Sequence, residues 1–164
     1  MVTRSLITAV LILAFQPALA WKQCHQADVK ALHFFTVGKA TLLRKDCQAD
    51  NLLAPPLRLQ FQYFHDVPGD AFAKAARHFL EKNLDSKRFQ QLEPRIVRFD
   101  NHYQDIGDGD RYTLTYLSDG SLALALNGQP LAREQGDDFA SAYLSIWFGQ
   151  HPYSQDMKDA LLGR

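Results

Sequence analysis

Charge of one sign is the first thing this sequence lacks: eighteen Lys and Arg stand against eighteen Asp and Glu, scattered among one another over 164 residues. Nucleic acid would call for a basic stripe, so no polyelectrolyte partner is expected. Metal-binding patterns are missing as well. His25, His33, His65, His78, His102 and His151 form no H-E-x-x-H pair or other short ligand spacing, and the two cysteines form no C-x-x-C. A calcium loop starting at Asp105 would need its bidentate glutamate where Tyr116 stands, and one starting at Asp108 would need glycine where Thr113 stands. Gly107 and Gly109 make no dinucleotide fingerprint, because Tyr112 occupies the third glycine position. No serine sits in a G-x-S-x-G elbow. The expectation is a protein without metal or cofactor.

No apolar run approaches the roughly 20 residues a spanning helix needs. The longest, Leu6 to Phe15, follows a basic Arg4 and precedes Pro17-Ala18-Leu19-Ala20, the pattern of a cleaved signal peptide. Residues 1–20 therefore read as a leader and 21–164 as one mature domain, periplasmic or secreted, with no stable membrane insertion after cleavage. In such a compartment Cys24 and Cys47 are most simply one disulfide, whose loop would stabilise the fold by about 3 kcal/mol. Two buried thiols or half of a metal site are the alternatives, the second without support from any C-x-x-C or His spacing.

Strand-like sequence begins at Lys30, with Leu32, Phe34 and Phe35, a turn or bulge at Gly38, then Ala40 to Leu43. Leu57, Leu59, Phe61 and Tyr63 alternate with polar residues as a half-buried strand should. Pro68-Gly69 ends it, and Asp70 can cap a helix burying Phe72, Ala75, Ala76, Phe79 and Leu80. Asp85 or Ser86 opens a shorter helix that Pro94 should stop or kink, or else Pro94 opens a new helical piece through Ile96 and Val97. Tyr112, Leu114 and Tyr116, then Leu122, Leu124 and Leu126, alternate around Asp119-Gly120, read as a two-residue hairpin turn, and Asn127-Gly128 offers a second. Asp137-Asp138 can cap a helix carrying Phe139, Ala142, Tyr143, Ile146 and Trp147, and Ser154 a last one. This order predicts an α+β domain, an antiparallel sheet covered on one face by a layer of helices.

Aromatic residues are abundant for so small a domain, and between sheet and helices they can fill a core or wall an apolar pocket. Tyr63, Phe72, Tyr112 and Tyr143 are the candidate wall. Gly109-Asp110-Arg111, the Asn127-Gly128 turn, Asp138-Phe139-Ala140, Ser145-Ile146-Trp147-Phe148-Gly149, Pro152 and Leu161-Leu162-Gly163 occur in an order that resembles chalcone isomerase-like domains, most closely their exported bacterial branch. The resemblance extends to Val37-Gly38-Lys39-Ala40 and Phe61 to Asp70. It implies an open-faced β-sandwich with a ligand cleft between sheet and helices. Plant enzymes of that family close a flavanone ring by adding a phenolate to a conjugated double bond. Their site has an arginine and a threonine on early strands, then a lysine, a tyrosine and an asparagine along the helices. Related plant proteins without the activity bind fatty acids.

Set on Lys74, that pattern puts the tyrosine near Asn83 and the asparagine near Gln90, so only the lysine matches, with Lys39 or Arg44 offered for the arginine. The expectation is a non-catalytic protein binding a small apolar or amphipathic ligand, such as a fatty acid, with Lys39 and Arg111 beside the aromatic wall. Two alternatives are an isomerase acting on an unsaturated carbonyl compound, and a structural or partner-binding module. The isomerase would use Lys74 and His78, one helical turn apart, with Arg111 or Lys39 stabilising oxyanion charge.

Overall fold

The computed structural model describes residues 20–31 and 35–164. The expected leader, apart from Ala20, and Leu32, His33 and Phe34 lie outside the described residues. Among the described residues six strands form one antiparallel sheet in chain order: β1 (Lys22–Ala31), β2 (Phe35–Arg44), β3 (Leu57–Tyr63), β4 (Arg111–Tyr116), β5 (Leu122–Leu126) and β6 (Gln129–Glu134). Two helices, α1 (Gly69–Asn83) and α2 (Ser86–Asp100), intervene between β3 and β4, and α3 (Asp137–Phe148) and α4 (Gln155–Leu161) close the chain.

Alternation of side chains along the strands decides which face the helices cover. Register places Leu59 between Leu42 and Leu114, and Phe61 between Ala40 and Tyr112, so one face is continuously apolar and buried. The opposite face carries Gln26 bonded to Thr41, Gln60 to Thr113, and Lys39 paired with Asp28. Among the described residues the helices therefore lie on one side of the sheet, as the sequence implies. Among the described residues no helix is long and apolar enough to cross a membrane.

Several local expectations change. The first strand, β1, starts at Lys22 and not at Lys30, and only Ala27 and Val29 of its residues are fully buried. One extra residue on β1 between Gln23 and His25 bulges out Cys24, which is bonded to Cys47 with the Cα atoms 5.3 Å apart. Gly38 does not end β2. A Cβ there would collide with the Gln62 carbonyl oxygen, so glycine allows β3 to approach, and the bulge falls beside it at Val37. Phe35 is 58 % exposed instead of core.

Asp119-Gly120 is not a two-residue turn. Leu117 N donates to Ser121 O and Gly120 N to Leu117 O, and only Gly120 has positive φ, giving a three-residue loop in which Asp119 accepts from the backbone and hydroxyl of Ser121. Asn127 and Gly128 both have positive φ and form the expected tight turn.

The α2 helix runs unbroken through Pro94. Phe89, Leu92, Ile96 and Phe99 keep one stripe buried, and at about 1.5–3 kcal/mol per side chain this outweighs the roughly 3 kcal/mol a helix proline costs. Asp85 caps this helix by accepting from Arg88 N. Asp70 does not cap α1: Pro68 occupies the cap position, and Asp105 accepts from Gly69 N at 2.8 Å. Arg95 of α2 ties Glu134 of β6 to Asp138 of α3, and Tyr116 donates to Asp137, so the start of α3 is fixed over the end of the sheet.

Candidate functional site

Between the apolar sheet face and the helices lies a cavity of about 280 Å³, near the low end of ligand-site volumes, about 300–1,000 Å³. Its floor comes from alternate positions of three neighbouring strands, Val29 and Ala31, Val37, and Phe61 and Tyr63. Its roof is α1, where Ala71, Ala75 and Ala76 surround Phe72. Alanine spaced one turn apart leaves the room that a larger side chain would fill. Ile146 and Trp147 of α3, Tyr153 and Met157 close the remaining wall, and His65 and Asp66 are the titratable side chains besides tyrosine at its edge.

The aromatic wall has depth. Phe72 packs edge-on against Tyr63 and Tyr112 and stacks on Tyr103, with ring centroids 5.1–5.4 Å apart. Trp147 lies 5.0 Å from the Phe61 ring. Tyr112 stands behind this wall. Its hydroxyl donates to Gln104 O and accepts from Gln104 N, both at 2.8 Å, which holds the connection from α2 to β4. Tyr63 lines the cavity, and among the described residues its hydroxyl has no hydrogen-bond partner. Burial pushes its phenol above the ordinary value.

Behind Tyr103 runs a chain of three side chains. The Tyr103 and Tyr143 hydroxyls are 3.1 Å apart, and Tyr143 donates to Asp100 Oδ1 at 2.6 Å. Burial pushes the Asp100 carboxyl up to about 7 from 3.8, opposed by the Tyr143 hydrogen bond and the Arg77 charge. Tyr143 is fully buried, and Tyr103 is the member that reaches the cavity.

The structure brings Tyr63 and Phe72 together at the cavity and sets Tyr112 and Tyr143 behind them. The four cationic candidates stand elsewhere. Lys74 is paired with Asp70 on the outer side of α1 with 77 % of its side chain exposed, and His78 is exposed one turn on. Lys39 and Arg111 project from the polar face of the sheet, Arg111 beside Arg58 and Gln60 in an open groove. The sheet separates the two pairs, so no lysine-histidine-arginine constellation forms. Arg44 is buried, donating to the Asp46, Leu52 and Ala54 carbonyls and thereby holding the loop from β2 to β3. Asn83 bonds to both the backbone N and O of His151, and Gln90 is exposed.

A family model described as chalcone isomerase-like matches residues 34–163. The chain belongs to the chalcone isomerase-like family. Among solved structures, a fatty-acid binding protein of Arabidopsis thaliana is similar in fold, with a TM-score of 0.56 at 14 % identity, covering 88 % of this chain and 85 % of that one. No curated protein matches in sequence. At that identity the likeness shows the fold of this chalcone isomerase-like protein and not its ligand.

Sequence reasoning missed Val29, Ala31, Val37, Tyr103, Tyr153 and Met157 as lining residues. Two signals were available: the period-two run Ala27, Val29, Ala31, and the pair Ala71 and Ala75 on the same helix face as Phe72.

Proposed function

We propose that this protein is a non-catalytic, exported member of the family that holds one apolar or amphipathic chain, such as a fatty acid, in the cavity between sheet and helices. The observation that carries the reading is a partly open cleft of about 280 Å³ with aromatic and aliphatic walls. At about 30 Å³ per water-sized group, it accommodates on the order of ten methylenes. The cationic candidates for chemistry all point away from it. A fold shared with a fatty-acid binding protein supports the same reading. Export to the periplasm or beyond is supported by the leader pattern ahead of Trp21 and by the Cys24–Cys47 disulfide, and the family's exported bacterial branch is where we place the chain.

Native mass spectrometry of the purified protein, followed by calorimetry with saturated fatty acids of eight to sixteen carbons, tests the binding. Stoichiometric binding that peaks at intermediate chain length is expected. Absence of any co-purifying lipid together with absence of binding across the series would end the proposal. N-terminal sequencing of protein exported by a cell expressing the full chain is expected to begin at Trp21.

A further inference from the structure

If the cavity takes an amphipathic chain, something must meet its polar end, and the Asp100–Tyr143–Tyr103 chain reaches the cavity lining at Tyr103. An ionised Asp100 can only accept. Tyr143 must then donate to it, as the 2.6 Å contact indicates, and the Tyr143 oxygen takes the Tyr103 proton across 3.1 Å. Each phenol has one proton, so Tyr103 then offers the cavity only lone pairs. Protonating Asp100 removes that constraint. Its O–H can donate to Tyr143, Tyr143 to Tyr103, and Tyr103 into the cavity, by rotation of hydroxyls and with no other covalent bond made or broken.

We propose that this relay sets the headgroup class of the ligand: a hydrogen-bond acceptor such as a carboxylate is held by Tyr103, beside Tyr63, whose hydroxyl has no hydrogen-bond partner among the described residues, and its binding is accompanied by uptake of one proton from solvent at Asp100. The inference rests on the ligand-binding reading above and adds what that reading leaves open. Asp100 retains 7 % exposure, which gives the proton a route. The groups that face Asp100 are Tyr143 from α3, Tyr103 from the segment after α2, and Arg77 from α1, itself paired with Glu81 and Glu93. Burial dominates over all three, so the neutral and ionised forms are both within reach near neutral pH.

Calorimetry of dodecanoate and of dodecanol from pH 6 to pH 9, in two buffers of different ionisation heat, reads the proton count directly. For dodecanoate and the unaltered protein, uptake should rise towards one proton at pH 8 to 9, with affinity falling up to tenfold per pH unit there. Dodecanol, which both donates and accepts, should bind with little uptake and a flat pH profile. In Asp100→Asn the amide can donate to Tyr143 permanently, so dodecanoate should bind at every pH as tightly as it binds the unaltered protein at pH 6, with no uptake. Tyr143→Phe should cut the relay and remove the uptake. Dodecanoate binding without uptake, or with the same uptake in Asp100→Asn, would overturn the relay while leaving the ligand-binding reading standing. Failure of both ligands to bind would overturn both.

Discussion

Ala75→Leu separates a cavity that receives a ligand from one that is merely a packing defect. Ala75 lies in the α1 roof among the cavity-lining residues. The change adds three carbons, roughly 90 Å³ at about 30 Å³ per water-sized group, or about a third of the 280 Å³ present. Burying them is worth at most about 2.4 kcal/mol at about 0.8 kcal/mol per carbon, less about 1 kcal/mol if the new side chain leaves its preferred rotamer. The free protein should gain on the order of 1–2 kcal/mol and melt roughly 3–6 °C higher. A bound chain loses the same three carbons of contact, so its affinity should fall on the order of 50-fold. Differential scanning calorimetry of the free protein and titration with dodecanoate supply the two signs. A lower melting temperature together with unchanged affinity would refute the reasoning, because the space would then be neither open nor used.

Three further outcomes follow from single contacts. The Asp100 carboxyl binds its proton more tightly folded than unfolded, so its contribution to stability is present below about pH 4 and lost as pH rises to about 7. At about 1.4 kcal/mol per unit the loss is up to about 4 kcal/mol, and urea unfolding at pH 4, 6 and 8 should show it in the unaltered protein and not in Asp100→Asn; equal slopes would contradict the assignment. Tyr112→Phe leaves both backbone groups of Gln104 without their partner and should cost about 1–3 kcal/mol in the same assay, whereas a cost near zero would mean that water replaces the phenol freely. Replacing Cys24 and Cys47 together by serine opens a cross-link between residues 23 apart in sequence and should lower stability by about 3 kcal/mol, with no further loss on adding reductant.

The sheet was legible where one face is buried and the other wet. Leu57, Leu59 and Phe61, with Tyr112 and Leu114 beside them, alternate without interruption because among the described residues no helix covers the outer face of β3 and β4. The β1 strand was not legible from its ends, since Lys22, Gln23, Gln26 and Lys30 are polar and a bulge at Cys24 breaks the period. Pro94 misled for a different reason: tertiary burial of the Phe89-to-Phe99 stripe overrides a local helix breaker, and no local rule contains that energy. At the site, Tyr63 and Phe72 were readable as aromatics on inward-facing positions. Lys39 and Arg111 were drawn in by charge, although each sits one residue out of phase with the buried neighbours Ala40 and Tyr112 and so projects to the other side of the sheet. The Asp100 relay is a contact between residues 43 apart in sequence, and nothing around Asp100 in the chain marks it.

The central claim is that an apolar chain occupies the space between Phe72 on the helices and Tyr63 and Phe61 on the sheet. Isotope-filtered NMR with carbon-13-labelled dodecanoate tests it most directly. Cross-peaks from the ligand methylenes to the rings of Tyr63, Phe72 and Trp147 and to the Met157 methyl are the expected result. Cross-peaks confined to Thr113, Thr115 and other residues of the open sheet face would contradict the account.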